Sequence, residues 1–431
     1  MEKAQSLLGI AVFLAVAYGL SNSRRKIDYK LVINATLIQL ALAILLLGVP
    51  FFNIPAPFFF IFSWANSFFL NVLGFTQKGT EFLFGPLVDV EKTGFVMALQ
   101  VLPTIIFFSS LSSVLYHYKI LPLIIAGFSK VLKKTLNISG AEALATVANI
   151  FVGQTEAPLT IKPYLPRMTK SEVFTVMVGG MATVAGGVMA VYVGFLSASI
   201  PDIAGHLVVA SVLSAPAAIL FAKMMFPETG TPETMGDTPT QTLLSYENVI
   251  DAAASGAADG LKLAANVGAM LLAFVALIYM CDAILIQIGE WIGFASWGQF
   301  LTPGLAESEV PQLNLTVILS WLFIPASFFL GIPWEECFLA SGLLGKKVVF
   351  NEFFAYFDLA QMGESFSPRS RIILSYALCG FSNFSSIAIQ IGGIGGLAPN
   401  RKKDLAQMGI KAIIGGSLAA FMTACIAGLL Y

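Results

Sequence analysis

Residues 149–156, Asn-Ile-Phe-Val-Gly-Gln-Thr-Glu, place two amides, a hydroxyl and a carboxylate beside Gly153 and Pro158 in a very apolar chain. Charged groups at membrane depth are costly and usually mark a substrate or ion path. A Gly and a Pro there point to a broken helix whose freed backbone groups face a cavity. Such a stretch can bind a polar solute, together with an ion. Three more places carry polar groups in apolar surroundings. In residues 181–188, Gly pairs at 179–180 and 186–187 weaken the helix, and Thr183 can offer a hydroxyl and Val184 a carbonyl. Close helix packing through small residues is the alternative there. In residues 345–353, Glu352 stands among aromatics, and an interfacial ion pair with Lys347 is the alternative. In residues 379–386, Asn383 and Ser386 lie three apart and would share a helix face, with interhelical hydrogen bonding as the alternative.

Hydrolytic chemistry finds no support. His117 and His206 lie near span ends without a paired carboxylate and read as interfacial. No HExxH or paired-Asp motif occurs, and the Gly run 392–396 lacks the Lys-Ser/Thr of a phosphate loop. The four cysteines have no metal-type spacing and read as packed thiols.

The elements that must position these groups are membrane helices. The chain of 431 residues is 57% hydrophobic and 11% charged, too apolar for a soluble globule. Its net charge of -1 offers no field for nucleic acid. Apolar stretches of roughly 20 residues, the length that crosses a bilayer, fall near 4–20, 31–50, 93–116, 172–198, 205–226, 260–290, 370–396 and 405–430. Regions 139–168 and 311–360 fit spans poorly. Basic clusters at 24–30, 130–134, 167–170 and 401–403 share one side only if both odd regions enter and leave by the same face. Both termini are then outside, as are Arg369 and Arg371. Each odd region is thus a candidate re-entrant hairpin followed by two spans. The expected fold is an all-α polytopic membrane protein of eight transmembrane helices plus two opposed hairpins in an inverted repeat, the usual plan of secondary transporters. Residues 228–250 read as a cytoplasmic linker leading into an interfacial helix, and residues 51–91 as a segment along the outer interface.

With these residues in view, the chain resembles the concentrative nucleoside transporters. Residues 148–149 and 153–156 match that family's first-hairpin motif. Gly345, Lys347, Asn351, Glu352 and Phe353 match its G-x-K-x3-N-E-F motif, with Phe354 where Val is usual. Cys379-Gly380-Phe381 through Asn383 to Ser386-Ile387-Ala388 matches a third signature, and residues 398–401 also fit.

The resemblance implies a sodium-coupled nucleoside symporter, not an enzyme, working by an elevator-like movement. Proton coupling through Glu156 or Glu352 is the alternative. It implies a homotrimer in a bacterial inner membrane. Residues 1–117 would hold scaffold helices and 259–290 a further one; 118–227 and 291–431 would form the repeats, joined by 228–258. Gln154, Thr155 and Glu156 would meet the nucleobase, with Val188 and Leu263 as apolar walls. Glu352, Asn383 and Ser386 would meet the ribose hydroxyls, and Phe381 would pack on the ligand. Sodium would be held by Asn149, Thr183 and the carbonyls of Val152 and Val184, with no other cofactor. The residue chemistry suits these roles. Gln and Thr serve both donors and acceptors of a uracil edge, so a pyrimidine is favoured, and one ionised carboxylate can accept from both hydroxyls of a diol.

Overall fold

In a computed structural model the chain is described over residues 2–49, 55–94, 96–236, 246–302 and 310–431. Among these residues the fold is helical throughout, with no β-strand. The first helices are α1 (Glu2–Gly19), α2 (Tyr29–Leu47), α3 (Phe59–Phe84), α4 (Leu102–His117) and α5 (Ile120–Leu136). A first unit follows: α6 (Gly140–Ala148), a break and two short 3-10 turns, the broken pair α7 (Lys170–Ala182) and α8 (Gly186–Leu196), and α9 (Ile203–Met225). After α10 (Val249–Trp291) and α11 (Leu315–Leu330), the same order recurs. It comprises α12 (Trp334–Val349) and α13 (Glu352–Gln361) around a break, the broken pair α14 (Pro368–Ala377) and α15 (Phe384–Leu397), and α16 (Lys402–Leu430).

Side-chain caps start these helices where the sequence writes them. Ser139 and Thr169 each open a helix with a reciprocal box to Glu142 and Glu172, three residues on. Each box satisfies amides that would otherwise be orphaned in an apolar interior. Asn351 and Asn383 cap α13 and α15 in the same way, accepting from Phe354 N and Ser386 N.

Polar contacts sort the loops onto two faces. On one, Lys223 pairs with Glu142 (2.7 Å), Arg167 with Glu233 (2.9 Å) and Lys170 with Asp404 (3.2 Å). The first odd region therefore begins and ends on this face. On the other, Arg369 meets Glu2 (3.2 Å) and donates to the carbonyls of Gly331 (2.5 Å) and Gly428 (2.7 Å). Arg371 donates to Ser199 O at 3.2 Å, and Ser367 N donates to Glu336 Oε1 at 3.0 Å. The second odd region begins and ends here, beside both chain termini. The two arginines are bound to carbonyls and a carboxylate, which accounts for their place on the side away from the basic clusters.

Several expectations are corrected. The region 311–360 is three helices: α11 and α12 meet at 119° across Gly331, and the break that carries Glu352 lies between α12 and α13. Helix and span expected separately over 228–290 are one helix from Val249, 43 residues long and about 65 Å at 1.5 Å per residue. Residues 237–245 of that linker lie outside the described residues. Within 51–91, residues 51–54 also lie outside them, and most of the rest forms the single helix α3. Its buried stripe of Phe62, Ala65, Phe69, Val72, Thr76 and Thr80 has helical spacing. His206 is buried, 3.1 Å from Tyr376 Oη, and not interfacial. The cysteines are free, and three of the four are buried.

The two broken pairs touch at their breaks. Gly380 has φ +108°, and a Cβ there would stand 2.7 Å from Met181 O and 2.9 Å from Ala182 O. Only glycine lets one backbone approach the other so closely. Gly380→Ala combines left-handed strain of about 1–3 kcal/mol with a backbone collision. A marked fall in the melting temperature of the detergent-purified protein is expected; an unchanged one would show that the breaks are not packed as described.

Candidate functional site

The candidate site lies where helix ends converge. Residues 149–156 fill the gap after α6, turning through Glu156 N to Gly153 O (3.1 Å) and Ala157 N to Gly153 O (3.0 Å). Gly153 lets the Glu156 carboxylate fold back over the turn, where a Cβ would displace it. The hairpin reaches the first broken pair through Gly186 N, which donates to Phe151 O at 3.3 Å and so satisfies an amide at the start of α8.

Gln154 Nε2 donates to Ser386 Oγ at 3.0 Å, joining the first hairpin to the start of α15 across 232 residues of chain. Asn383 lies outside the helix, and its Oδ1 accepts from Ser386 N at 2.9 Å. The two residues thus meet through a cap and not through a shared helix face. Asn383 Nδ2 donates to Glu352 Oε2 at 2.8 Å, and Tyr192 Oη on α8 donates to Glu352 Oε1 at 2.8 Å. Glu352 is buried in the first turn of α13, where the helix dipole favours a carboxylate. A single buried network therefore runs from Gln154 through Ser386 and Asn383 to Glu352. Glu156 is exposed, and Thr155 lies against α15, where a Cβ on Gly393 would stand 3.2 Å from Thr155 Cγ2. Val188 is buried in α8 and Phe381 is partly buried in the α14–α15 break. Leu263 stands apart: it is 37% exposed on α10, which packs chiefly on α4.

Lys347 is fully buried and does not pair with Glu352. Its Nζ donates to Ala377 O at 2.9 Å and Cys379 O at 3.1 Å, closing the carbonyl end of α14. Lys346 instead pairs with Asp358 at 2.6 Å.

Two of the residues expected to hold an ion keep side-chain oxygen lone pairs without a partner. Asn149 Nδ2 donates to Ala145 O at 3.0 Å, while Asn149 Oδ1 is buried without a hydrogen-bond partner. Thr183 Oγ1 gives its proton to Gly179 O at 2.9 Å, which leaves its lone pairs available. Thr183 and Val184 sit in the break after α7, where the backbone leaves the helical pattern. An orphaned amide oxygen, a hydroxyl lone pair and backbone carbonyls are the hard oxygen set that a small hard cation takes.

Sequence reasoning missed Tyr192 and Gln390. Gln390 Nε2 donates to Gln154 Oε1 (3.0 Å) and to Met177 O (2.9 Å). An amide inside an apolar span was the available signal for Gln390; Tyr192 looked like any span aromatic.

Family models for a "Na+ dependent nucleoside transporter" C-terminus and N-terminus match residues 206–428 and 8–87, and one for "Nucleoside recognition" matches 98–199. The chain belongs to the concentrative nucleoside transporter family. It is 41% identical over all its length to an "Uncharacterized transporter" of Haemophilus influenzae, covering 98% of that protein. Over 98% of its length it is 39% identical to "Nucleoside permease NupC" of Helicobacter pylori, covering 97% of it. The solved structure of CNTnw in an inward-facing substrate-bound state superposes with a TM-score of 0.87 at 42% identity, over 99% of this chain and 98% of that one. An outward-facing CNTnw variant gives 0.87 at 42% identity, over 100% and 98%. The protein is thus a multi-pass membrane transporter of nucleosides, of a family whose coupling ion is sodium.

Proposed function

We propose that this nucleoside transporter is a sodium symporter for uridine-like pyrimidine nucleosides, working as a homotrimer in a bacterial inner membrane with both termini outside. The network from Gln154 to Glu352 carries this reading, because it joins the two hairpin regions around a small set of buried polar groups. Gln154, Thr155 and Glu156 face the nucleobase, with Val188 and Leu263 as walls. Because Leu263 is exposed on α10, its contact forms only when the hairpin units stand beside that helix. Glu352, Asn383 and Ser386 take the ribose hydroxyls, and Phe381 packs on the ligand. In this structure Asn383 and Tyr192 occupy the Glu352 carboxylate; an arriving diol competes with or adds to these donors.

Sodium binds through Asn149, Thr183 and the carbonyls of Val152 and Val184. The buried unpartnered Oδ1 of Asn149 favours this over a proton on Glu156 or Glu352, since that oxygen gains a partner only when a cation arrives. Its neighbours Phe151 and Gly186 link the ion site to the break, so an ion there tightens the hairpin that carries Gln154. Residues 118–227 and 291–431 move as the transport unit against 1–117 and 259–290 in an elevator motion. All the site residues except Leu263 lie in the former.

Three outcomes check this reading. In proteoliposomes with sodium and proton gradients imposed separately, labelled uridine accumulates with sodium, and Asn149→Ala raises the half-saturating sodium concentration. Uptake that ignores sodium and follows pH would sink the sodium assignment in favour of the proton.

A charge-assisted hydrogen bond contributes about 1.5–3 kcal/mol, so Glu352→Gln costs roughly ten- to a hundredfold in uridine affinity. It costs far less for 2′,3′-dideoxyuridine, which lacks the diol; equal losses for both would place Glu352 elsewhere in the mechanism.

Cysteine pairs that lock the first hairpin to α4 or α10 stop uptake while nucleoside binding persists. Normal uptake in cross-linked protein, or a functional particle with the mass of a monomer, removes the elevator and the trimer respectively.

A further inference from the structure

We propose that Gln390 fixes the hydrogen-bonding polarity of Gln154 and thereby selects which nucleobase edge the transporter accepts. This rests on the reading of Gln154 as the nucleobase contact. Gln390 is fully buried on α15, seven residues after the Asn383 cap. Its side-chain amide stands 2.9 Å from Met177 O and 3.0 Å from the amide of Gln154. The Met177 carbonyl only accepts, so the Gln390 atom facing it is the nitrogen. That same nitrogen faces Gln154, whose nearer atom must then be its oxygen. The orientation of both amides follows from a backbone acceptor, not from how alike oxygen and nitrogen look.

Gln154 Nε2 is therefore turned toward Ser386 Oγ, at 3.0 Å. One of its two hydrogens serves that hydroxyl, and one remains. A glutamine free to rotate offers a base either its carbonyl or its amino group. Held this way, Gln154 offers N–H, and a base must answer with a carbonyl oxygen or a ring lone pair. An amino or N–H group at that point would meet donor with donor, the kind of mismatch by which polar sites discriminate strongly.

Two further observations bear on this assignment. Gly180 permits the pair to approach: a Cβ there would stand 2.9 Å from Gln154 Cβ and 3.0 Å from Gln390 Nε2. Moreover, Gln390 Oε1 is buried without a hydrogen-bond partner. An unsatisfied buried acceptor is destabilising, so a side chain kept only for packing would serve better as methionine. Gln390 touches no ligand in this scheme and acts as a positioning residue.

The test compares KM for uridine and cytidine, which differ in donors and acceptors along the base edge, in proteoliposomes carrying Gln390→Met, Gln390→Glu or Gln154→Met. Gln390→Met releases the Gln154 amide. Gln390→Glu keeps the shape but removes the nitrogen that donates to both Met177 O and Gln154 Oε1, and so releases the Gln154 amide to turn over. Each is expected to move the uridine-to-cytidine KM ratio by about two- to tenfold, the worth of one neutral hydrogen bond. A merely structural role would raise both KM values alike or lower uptake of both. An unchanged ratio in both Gln390 variants, with Gln154→Met changing it, overturns this proposal alone. An unchanged ratio in Gln154→Met overturns the nucleobase reading beneath it. The Glu variant keeps the question answerable should the Met variant fail to assemble.

Discussion

A helix interrupted within the apolar interior leaves amides and carbonyls that no water can satisfy, and this constraint organises the molecule. The chain interrupts its buried helices after α6, between α7 and α8, between α12 and α13, and between α14 and α15. Each interruption is answered by a specific partner. Phe151 O takes the amide of Gly186, and Lys347 covers the carbonyls of Ala377 and Cys379. Asn351 and Asn383 cap the helices that restart. Among the buried polar atoms left without a partner is Asn149 Oδ1, in the gap after α6. The same breaks that cost backbone hydrogen bonds therefore also bring polar side chains into the apolar interior.

The packing of the breaks makes them a unit. Gly380 allows the second broken pair to lie backbone to backbone against Met181 and Ala182, and Gly180 allows Gln154 and Gln390 to meet over α7. Each contact needs the absence of a Cβ, so glycine acts here by permitting approach, not by loosening the chain. The residues around these breaks consequently share one packed frame. Strengthening of that frame by an ion at Asn149 would be felt at Gln154, five residues on, and by reciprocity of linkage a nucleoside at Gln154 would tighten the ion site.

The ends of the frame are held differently on its two faces. On one, Lys223 with Glu142 and Arg167 with Glu233 tie both legs of the first hairpin to the end of α9 and the segment after it. On the other, Arg369 ties α14 to both chain termini. Lys223 and Glu142 are both shielded from water, where breaking a pair costs several kcal/mol because a charge is left uncompensated. These contacts favour movement of the hairpin units as bodies over bending within them.

The sequence by itself determined the class, marked the breaks and named Gln154, Ser386, Asn383 and Glu352, which the fold joins in one network. Composition decided membrane over globule, and Gly and Pro within apolar stretches marked the interruptions. These signals are local: each is read within a few residues and acts within one helical turn. The tertiary structure decided what depends on partners far along the chain. Gln390 was an unremarked amide until its nitrogen was seen against Gln154, 236 residues away. Lys347 was a plausible mate for Glu352 until its reach to Ala377 and Cys379 showed a helix cap. Tyr192 was one aromatic among many until its hydroxyl was placed on Glu352. The merging of linker and span into α10 and the continuity of α3 were likewise hidden, because polar and apolar stretches alike can be helical. A buried polar group announces in the sequence that it needs a partner, but only the packed chain determines which one.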